Sequence, residues 1–151
     1  MEKNISRQKA KKTILRLIFQ IYIREKIDEK YIERMIGEYG VSADQVDYVH
    51  DVCRQVCDNV EFIDQLIEKA ADNWKLTTMA KIDVAVMRLA IGEFYYAGVP
   101  VAVAINEAVN LAKKYGTEKS DKFVNGILGK VYRIISESGL DENITAPRSQ
   151  S

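Results

Sequence analysis

Between Lys3 and Lys12 the chain carries Lys3, Arg7, Lys9, Lys11 and Lys12 with no acidic residue among them. Cations at the start of a helix oppose its macrodipole at a cost of about 0.3–1 kcal/mol each, so a cluster there calls for a reason other than helix stability. Contact with the phosphates of a nucleic acid is one such reason. The alternative is a solvated, solubilising terminus, which for a basic run alone is the commoner case. A second candidate is Glu118-Lys119-Ser120-Asp121-Lys122-Phe123. There a helix start with free backbone N–H groups, two lysines and an aromatic ring have the chemistry to hold a phosphate and stack an unpaired base. Phe123 equally continues an apolar stripe, and periodicity alone assigns it to the core.

His50, Cys53 and Cys57 fall at i, i+3 and i+7, one face of a helix, and so merit weighing as metal ligands. The chain has one His and two Cys in all, which leaves a structural zinc without its fourth ligand of those types. We read the cysteines as members of an apolar stripe with Val49 and Val56, and a disulfide four residues apart on a helix has poor geometry. No metal site and no cofactor is expected. The chain has no Gly-rich phosphate loop and no nucleophile elbow, and its single histidine lacks a recognisable partner, so an enzyme is not indicated.

The elements that must position these residues are all helical. Apolar residues recur at helical spacing nearly throughout, and only 2 prolines occur in 151 residues, which predicts an all-α fold. The spacing predicts a first helix over 6–24, burying Ala10, Ile14, Leu17, Ile18 and Ile21, and a short second one burying Ile32, Met35 and Ile36 before Gly40. A long third helix from Ser42 to about Ala71 would open with a capping box to Gln45. After Asn73-Trp74-Lys75, Thr77 or Thr78 is expected to cap a fourth helix burying Ile82, Val86, Leu89, Ala90 and Phe94. A fifth runs over 103–115 and ends at Gly116, and a sixth starts near Ser120 and fades at Gly139. Residues 140–151 read as a disordered tail. Trp74 should seat a junction between two packed helical subdomains, about 1–73 and 74–139, within a single domain of 1–139.

Lys+Arg and Asp+Glu both number 22, so attraction to a polyanion must come from local clustering, not from a net field. No apolar run is long enough to span a bilayer and no signal peptide is evident, which suggests a cytoplasmic protein.

The segment from Ile105 to Leu128, with Asn106-Glu107, Gly116, Ser120-Asp121-Lys122-Phe123 and Asn125-Gly126 at fixed places between two helical patterns, resembles the C-terminal signature of the NusB family of transcription antitermination factors. Trp74, Asp83, Met87-Arg88-Leu89-Ala90, Glu93 and Pro100 fall upstream in that family's order. The resemblance implies a NusB-like helical bundle whose N-terminal basic segment is an arginine-rich RNA-binding motif. Arg7, Lys9 and Lys11 stand in its basic positions, Lys12 joins the cluster, and Gln8 departs from it. Lysine makes point-charge contacts where arginine makes bidentate ones. It further implies RNA contacts at Lys119, Lys122 and Phe123, and an Asp83 that pairs with basic residues of a partner protein.

The implied function is binding of single-stranded boxA-type RNA jointly with the ribosomal protein NusE. Through other Nus factors this would support readthrough by the RNA polymerase elongation complex in ribosomal RNA operons. The alternatives are a NusB-like module related to those fused to RNA methyltransferases, against which the missing βαβ pattern and cofactor loop speak, or a purely structural helical adaptor. Asn106, Glu107, Asn125 and Gly126 read as structural, serving capping, bridging of buried backbone groups or close helix packing.

Overall fold

A computed structural model of the chain describes residues 2–20 and 28–140, with side chains from residue 5 onward. Among these residues there are seven α-helices and no strand. They are α1 (Glu2–Phe19), α2 (Glu29–Glu38), α3 (Val46–Asp58), α4 (Val60–Ala70), α5 (Lys81–Ile91), α6 (Val101–Tyr115) and α7 (Ser120–Glu137). Short 3-10 turns at Ala43–Gln45 and Leu76–Thr78 and a π turn at Gly92–Tyr96 connect them. The expected extension of the first helix to residue 24, burial of Ile21, the side chain of Lys3 and the tail beyond residue 140 lie outside the described residues.

The all-α expectation holds because the apolar stripes do close on one another. α5 is the hub: every residue from Val84 to Ile91 is buried, and the helix packs against α1, α3, α4, α6 and α7. Buried on nearly every side, with its Arg88 guanidinium paired to Asp64 at 2.7 Å, this helix belongs in the core, and its Met87, Leu89 and Ile91 contribute on the order of 1.5–3 kcal/mol each by leaving water. One apolar cluster runs from Ala10 and Ile14 on α1 through α3, α4 and α5 to Leu128 and Ile135 on α7. It passes across the break at Trp74 without interruption.

Local signals decided several boundaries differently from the periodicity. The expected long third helix is two helices, because Asn59 leaves helical geometry at φ −121° and its side-chain amide donates to the Gln55 carbonyl at 2.8 Å. An Asn side chain that competes for backbone groups in this way is a recognised helix interrupter. Ser42 does not form the expected box with Gln45; its hydroxyl donates to Asp44 Oδ1 at 2.6 Å instead. Neither Thr77 nor Thr78 caps α5. Both lie in the preceding 3-10 turn, where Thr78 Oγ1 donates to the Lys75 carbonyl. Trp74, expected to seat a junction, is 62% exposed, because Asp72 and Asn73 adopt left-handed φ of 54° and 68° and turn the chain outward after α4.

The end of α6 and the start of α7 meet at Gly116. A Cβ there would stand 2.6 Å from Ser120 Cβ and 2.7 Å from the Ala112 carbonyl oxygen, so only glycine lets α7 begin so close to the end of α6. Gly126 is the opposite case. Expected to serve close helix packing, it is instead exposed on α7, and a Cβ added there would meet nothing within 4 Å. Gly116→Ala should therefore destabilise the protein by about 1–3 kcal/mol through overpacking. Gly126→Ala should be neutral or stabilising by up to about 1 kcal/mol through helix propensity. Urea denaturation of both variants checks the pair, and equal effects would contradict the assignment.

Candidate nucleic-acid interface

Helix geometry divides the cations of α1 into two sets. At 3.6 residues per turn, Lys12 and Arg16 return to within about 60° of Lys9, whereas Lys11 points about 200° away from it. Lys9, Lys12 and Arg16 are exposed. Lys11 is 5% exposed and turned into the protein. Its ammonium lies 2.9 Å from Glu93 Oε1 and also pairs with Glu107 Oε1. Lys11, expected as a phosphate contact, is thus an internal ion-pair residue, since a lysine on the buried face of this helix keeps its charge only beside carboxylates.

Glu93 is fully buried in the π turn that follows α5. Gly92 beside it allows α3 to pass, as a Cβ there would meet Val56 Cγ2 at 2.5 Å. The other Glu93 oxygen accepts the hydroxyl hydrogen of Tyr48 on α3. Arg7, half-buried, lays its guanidinium 3.6 Å above the centre of the Tyr48 ring and brings Nη2 to 3.8 Å from Glu93 Oε2. Burial pushes the Glu93 carboxyl above its ordinary range, and the Lys11 charge opposes that shift. Burial together with the Glu93 charge raises Tyr48. Glu107, read as bridging backbone groups, pairs with Lys11 instead, so the cluster joins α1, α3, the π turn and α6.

On the outward side of α1, two adjoining clefts share Lys12 and Tyr115. One, of about 570 Å³, is walled by Lys12, Arg16, Phe19, Tyr39, Ile82 and Tyr115 among others. The second, of about 430 Å³, is bounded by Ile5, Gln8, Lys9 and Lys12 from α1 and by Asn110, Leu111, Lys114 and Tyr115 from α6, and the Lys11–Glu107 pair also belongs to its lining. Sequence reasoning missed Arg16, Tyr39, Lys114 and Tyr115. The signal was present in the i, i+3, i+7 spacing of Lys9, Lys12 and Arg16 opposite the apolar stripe.

At the second candidate segment, Lys119 and Lys122 are exposed and Phe123 is half-buried against the core. α7 starts without a side-chain cap. Ser120 is buried and its Oγ accepts the Thr117 N–H at 2.9 Å. Asp83, expected as a surface carboxylate facing a partner, is only 6% exposed in the first turn of α5, and its Oδ1 has no hydrogen-bond partner among the described residues. It is not a free surface charge. His50 Nδ1 pairs with Glu29 Oε2 at 3.0 Å, Cys53 is buried and Cys57 half-buried. Among the described residues no three metal-binding side chains are assembled, and no helix is long and apolar enough to cross a membrane.

The sequence from residue 8 to residue 133 matches the family model described as the NusB family. The chain belongs to the NusB family. It is 40% identical over 131 residues to the Transcription antitermination protein NusB of Acetivibrio thermocellus, covering 86% of this chain and 90% of that one. Against the protein of the same name from Alkaliphilus oremlandii it is 37% identical over 127 residues, covering 83% and 92%. The structure of T. maritima NusB superposes with a TM-score of 0.72 at 30% identity, covering 85% and 90%. The same fold, at 23% identity and a TM-score of 0.76, occurs in a structure of the antitermination factors NusB and NusE in complex with double-stranded RNA, with 85% and 97% covered.

In this NusB-family chain, adjacent lysines have opposite surroundings. Lys11→Ala should cost about 3–5 kcal/mol, because it strands the buried Glu93 carboxylate. Lys12→Ala should cost no more than about 0.5 kcal/mol. Pairing Lys11→Met with Glu93→Gln should recover much of the loss. Thermal unfolding of the three variants measures this, and equal melting temperatures for the two single substitutions would refute the division.

Proposed function

We propose that this chain is a transcription antitermination factor that binds single-stranded boxA-type RNA jointly with NusE. In this role it would act in the cytoplasm, through other Nus factors, to help RNA polymerase read through ribosomal RNA operons. It acts by binding, without catalysis or cofactor. Relatives of nearly the same extent carry that name, and the fold recurs in the complex of NusB and NusE with RNA. The observation that carries the reading is the division of the α1 cations. Lys9 and Lys12 are left in solvent above a groove, while Lys11 is spent on holding the helix in place.

In this reading Lys9, Lys12, Lys119 and Lys122 contact phosphates and Phe123 offers a ring edge to a base. Arg7, stacked on Tyr48, shares its charge between Glu93 and the RNA backbone. Lys11 is a positioning residue. The halves on either side of Trp74 share one core and act as one unit. Because positive and negative residues balance at 22 each, the free chain has no general pull on RNA, and a second protein must add contacts.

Two outcomes follow. Replacing Lys9, Lys12, Lys119 and Lys122 with Ala should flatten the slope of log affinity against log salt by roughly 0.7 per lost contact on single-stranded RNA, and fluorescence anisotropy at several salt concentrations reads it directly. An unchanged slope contradicts the contacts. NusE should tighten RNA binding, and RNA should tighten NusE binding by the same factor, with a coupling on the order of 1–3 kcal/mol. Calorimetry of each pair with and without the third component decides it; additive affinities exclude a composite surface.

A further inference from the structure

We infer that Tyr48 on α3 is a positioning residue for RNA binding, which seats the Arg7 guanidinium by its face and keeps the edge of that group free for a phosphate. The inference rests on the RNA-binding reading above and adds to it a residue from outside the basic segment.

Arg7 is the only arginine between Lys3 and Lys12. It is therefore the one side chain of that segment able to grip a phosphate with two parallel N–H groups, where its lysine neighbours offer point charges. Its surroundings work against that task. Half-buried, it stands with Nη2 3.8 Å from Oε2 of Glu93, a fully buried carboxylate whose oxygens require donors. A carboxylate and a phosphate accept the same fork of guanidinium N–H groups, so Glu93 competes with RNA for Arg7.

Tyr48 holds this competitor off in two ways. Its hydroxyl donates to the same Glu93 Oε2, while Oε1 takes the Lys11 ammonium at 2.9 Å. Both oxygens thus have a donor without Arg7, whose 3.8 Å separation is about 1 Å longer than a charge-assisted hydrogen bond. Burial, together with the Glu93 charge, pushes the Tyr48 phenol up from its ordinary range, so it remains an O–H donor at neutral pH.

The ring supplies the second effect. The Arg7 guanidinium carbon lies 3.6 Å from its centre, and an N–H group pointed at the ring would collide with it at that separation. The guanidinium must lie parallel to the ring, a stack that uses its face and leaves N–H groups at its edge free. The seat is firm, because α3 is anchored by buried Val49, Val52 and Val56. Without the hydroxyl, Glu93 Oε2 would lack its donor. Arg7 would then close on the carboxylate and turn its edge inward, away from a phosphate.

The test uses the full chain with NusE and a fluorescein-labelled single-stranded RNA carrying the boxA element of a ribosomal RNA leader. Tyr48→Phe keeps the ring and removes the hydroxyl. It should weaken RNA binding about fivefold to tenfold, as loss of one charge-assisted contact does, and flatten the slope of log affinity against log salt by roughly 0.7. In an Arg7→Ala background the same substitution should change neither quantity. A loss that persists there would mean that Tyr48 only supports the fold beneath the other cations, and the inference is overturned. Undiminished affinity in Tyr48→Phe itself overturns it too, and leaves the broader reading standing. A measurement on the wild-type chain decides the matter even if Tyr48→Phe does not fold. The Arg7 Hδ and Hε proton signals should be displaced upfield by the Tyr48 ring and stay displaced when RNA is bound; their return to ordinary positions on adding RNA contradicts the seat. Failure of the wild-type chain with NusE to bind this RNA overturns the RNA-binding reading and this inference together.

Discussion

A lysine ammonium in the interior of a helical bundle must be paired or discharged, because desolvating the charge costs several kcal/mol. In this chain Lys11 meets that constraint between Glu93 and Glu107, and much of the architecture around the N-terminus follows from the pairing. Glu93 has to be inside, so the end of α5 widens into a π turn, and Gly92 gives α3 room to pass. Tyr48 fills the remaining acceptor position on Glu93 and offers its ring to Arg7. The rotation of α1 about its own axis is thereby set, and with it the outward direction of Lys9, Lys12 and Arg16. An apolar residue at position 11 would pack without fixing that angle so narrowly.

Placement of charge matters more here than its amount. With 22 residues of each sign the molecule steers nothing from a distance, and whatever attracts a polyanion must do so at contact. The structure concentrates cations where acids are absent or already neutralised, along α1 and at the end of α6. Lys113 and Lys114 in the last turn of α6 also suit the negative end of that helix's dipole, and Lys114 in addition stands beside the cleft next to α1. The cations near the start of α1 have no such local benefit, and the buried cluster holds that helix in place.

Much of the fold was legible in the sequence because apolar spacing is a strong signal where helices are long and amphipathic. The stripe of α1, the end of α6 at Gly116 and the start of α7 at Ser120 all follow from residue type and period. The divided third helix was not legible, since Val56, Val60 and Ile63 keep the period while Asn59 breaks the backbone, and periodicity reports side-chain direction only. Asp83 and Lys11 were misplaced for a common reason: burial of a single charged residue depends on what faces it from other helices. Trp74 failed in the opposite sense, as two left-handed residues ahead of it redirect the chain. In the candidate site, the presence of a basic face was readable, but which cation serves structure required the partners Glu93 and Glu107. Tyr39 and Tyr115 were not legible as cleft residues, because one follows α2 and the other ends α6, and only the fold brings them together.

The central claim is that α1 carries one structural lysine and a set of outward ones. Nitrogen-detected NMR of the lysine ammonium groups, with RNA titrated in, tests it most directly. A slowly exchanging Lys11 signal that RNA leaves in place is expected, while the signals of Lys9 and Lys12 shift with saturation and recover as salt is raised. A Lys11 signal that exchanges as fast as the exposed lysines and shifts with RNA alongside them would contradict it.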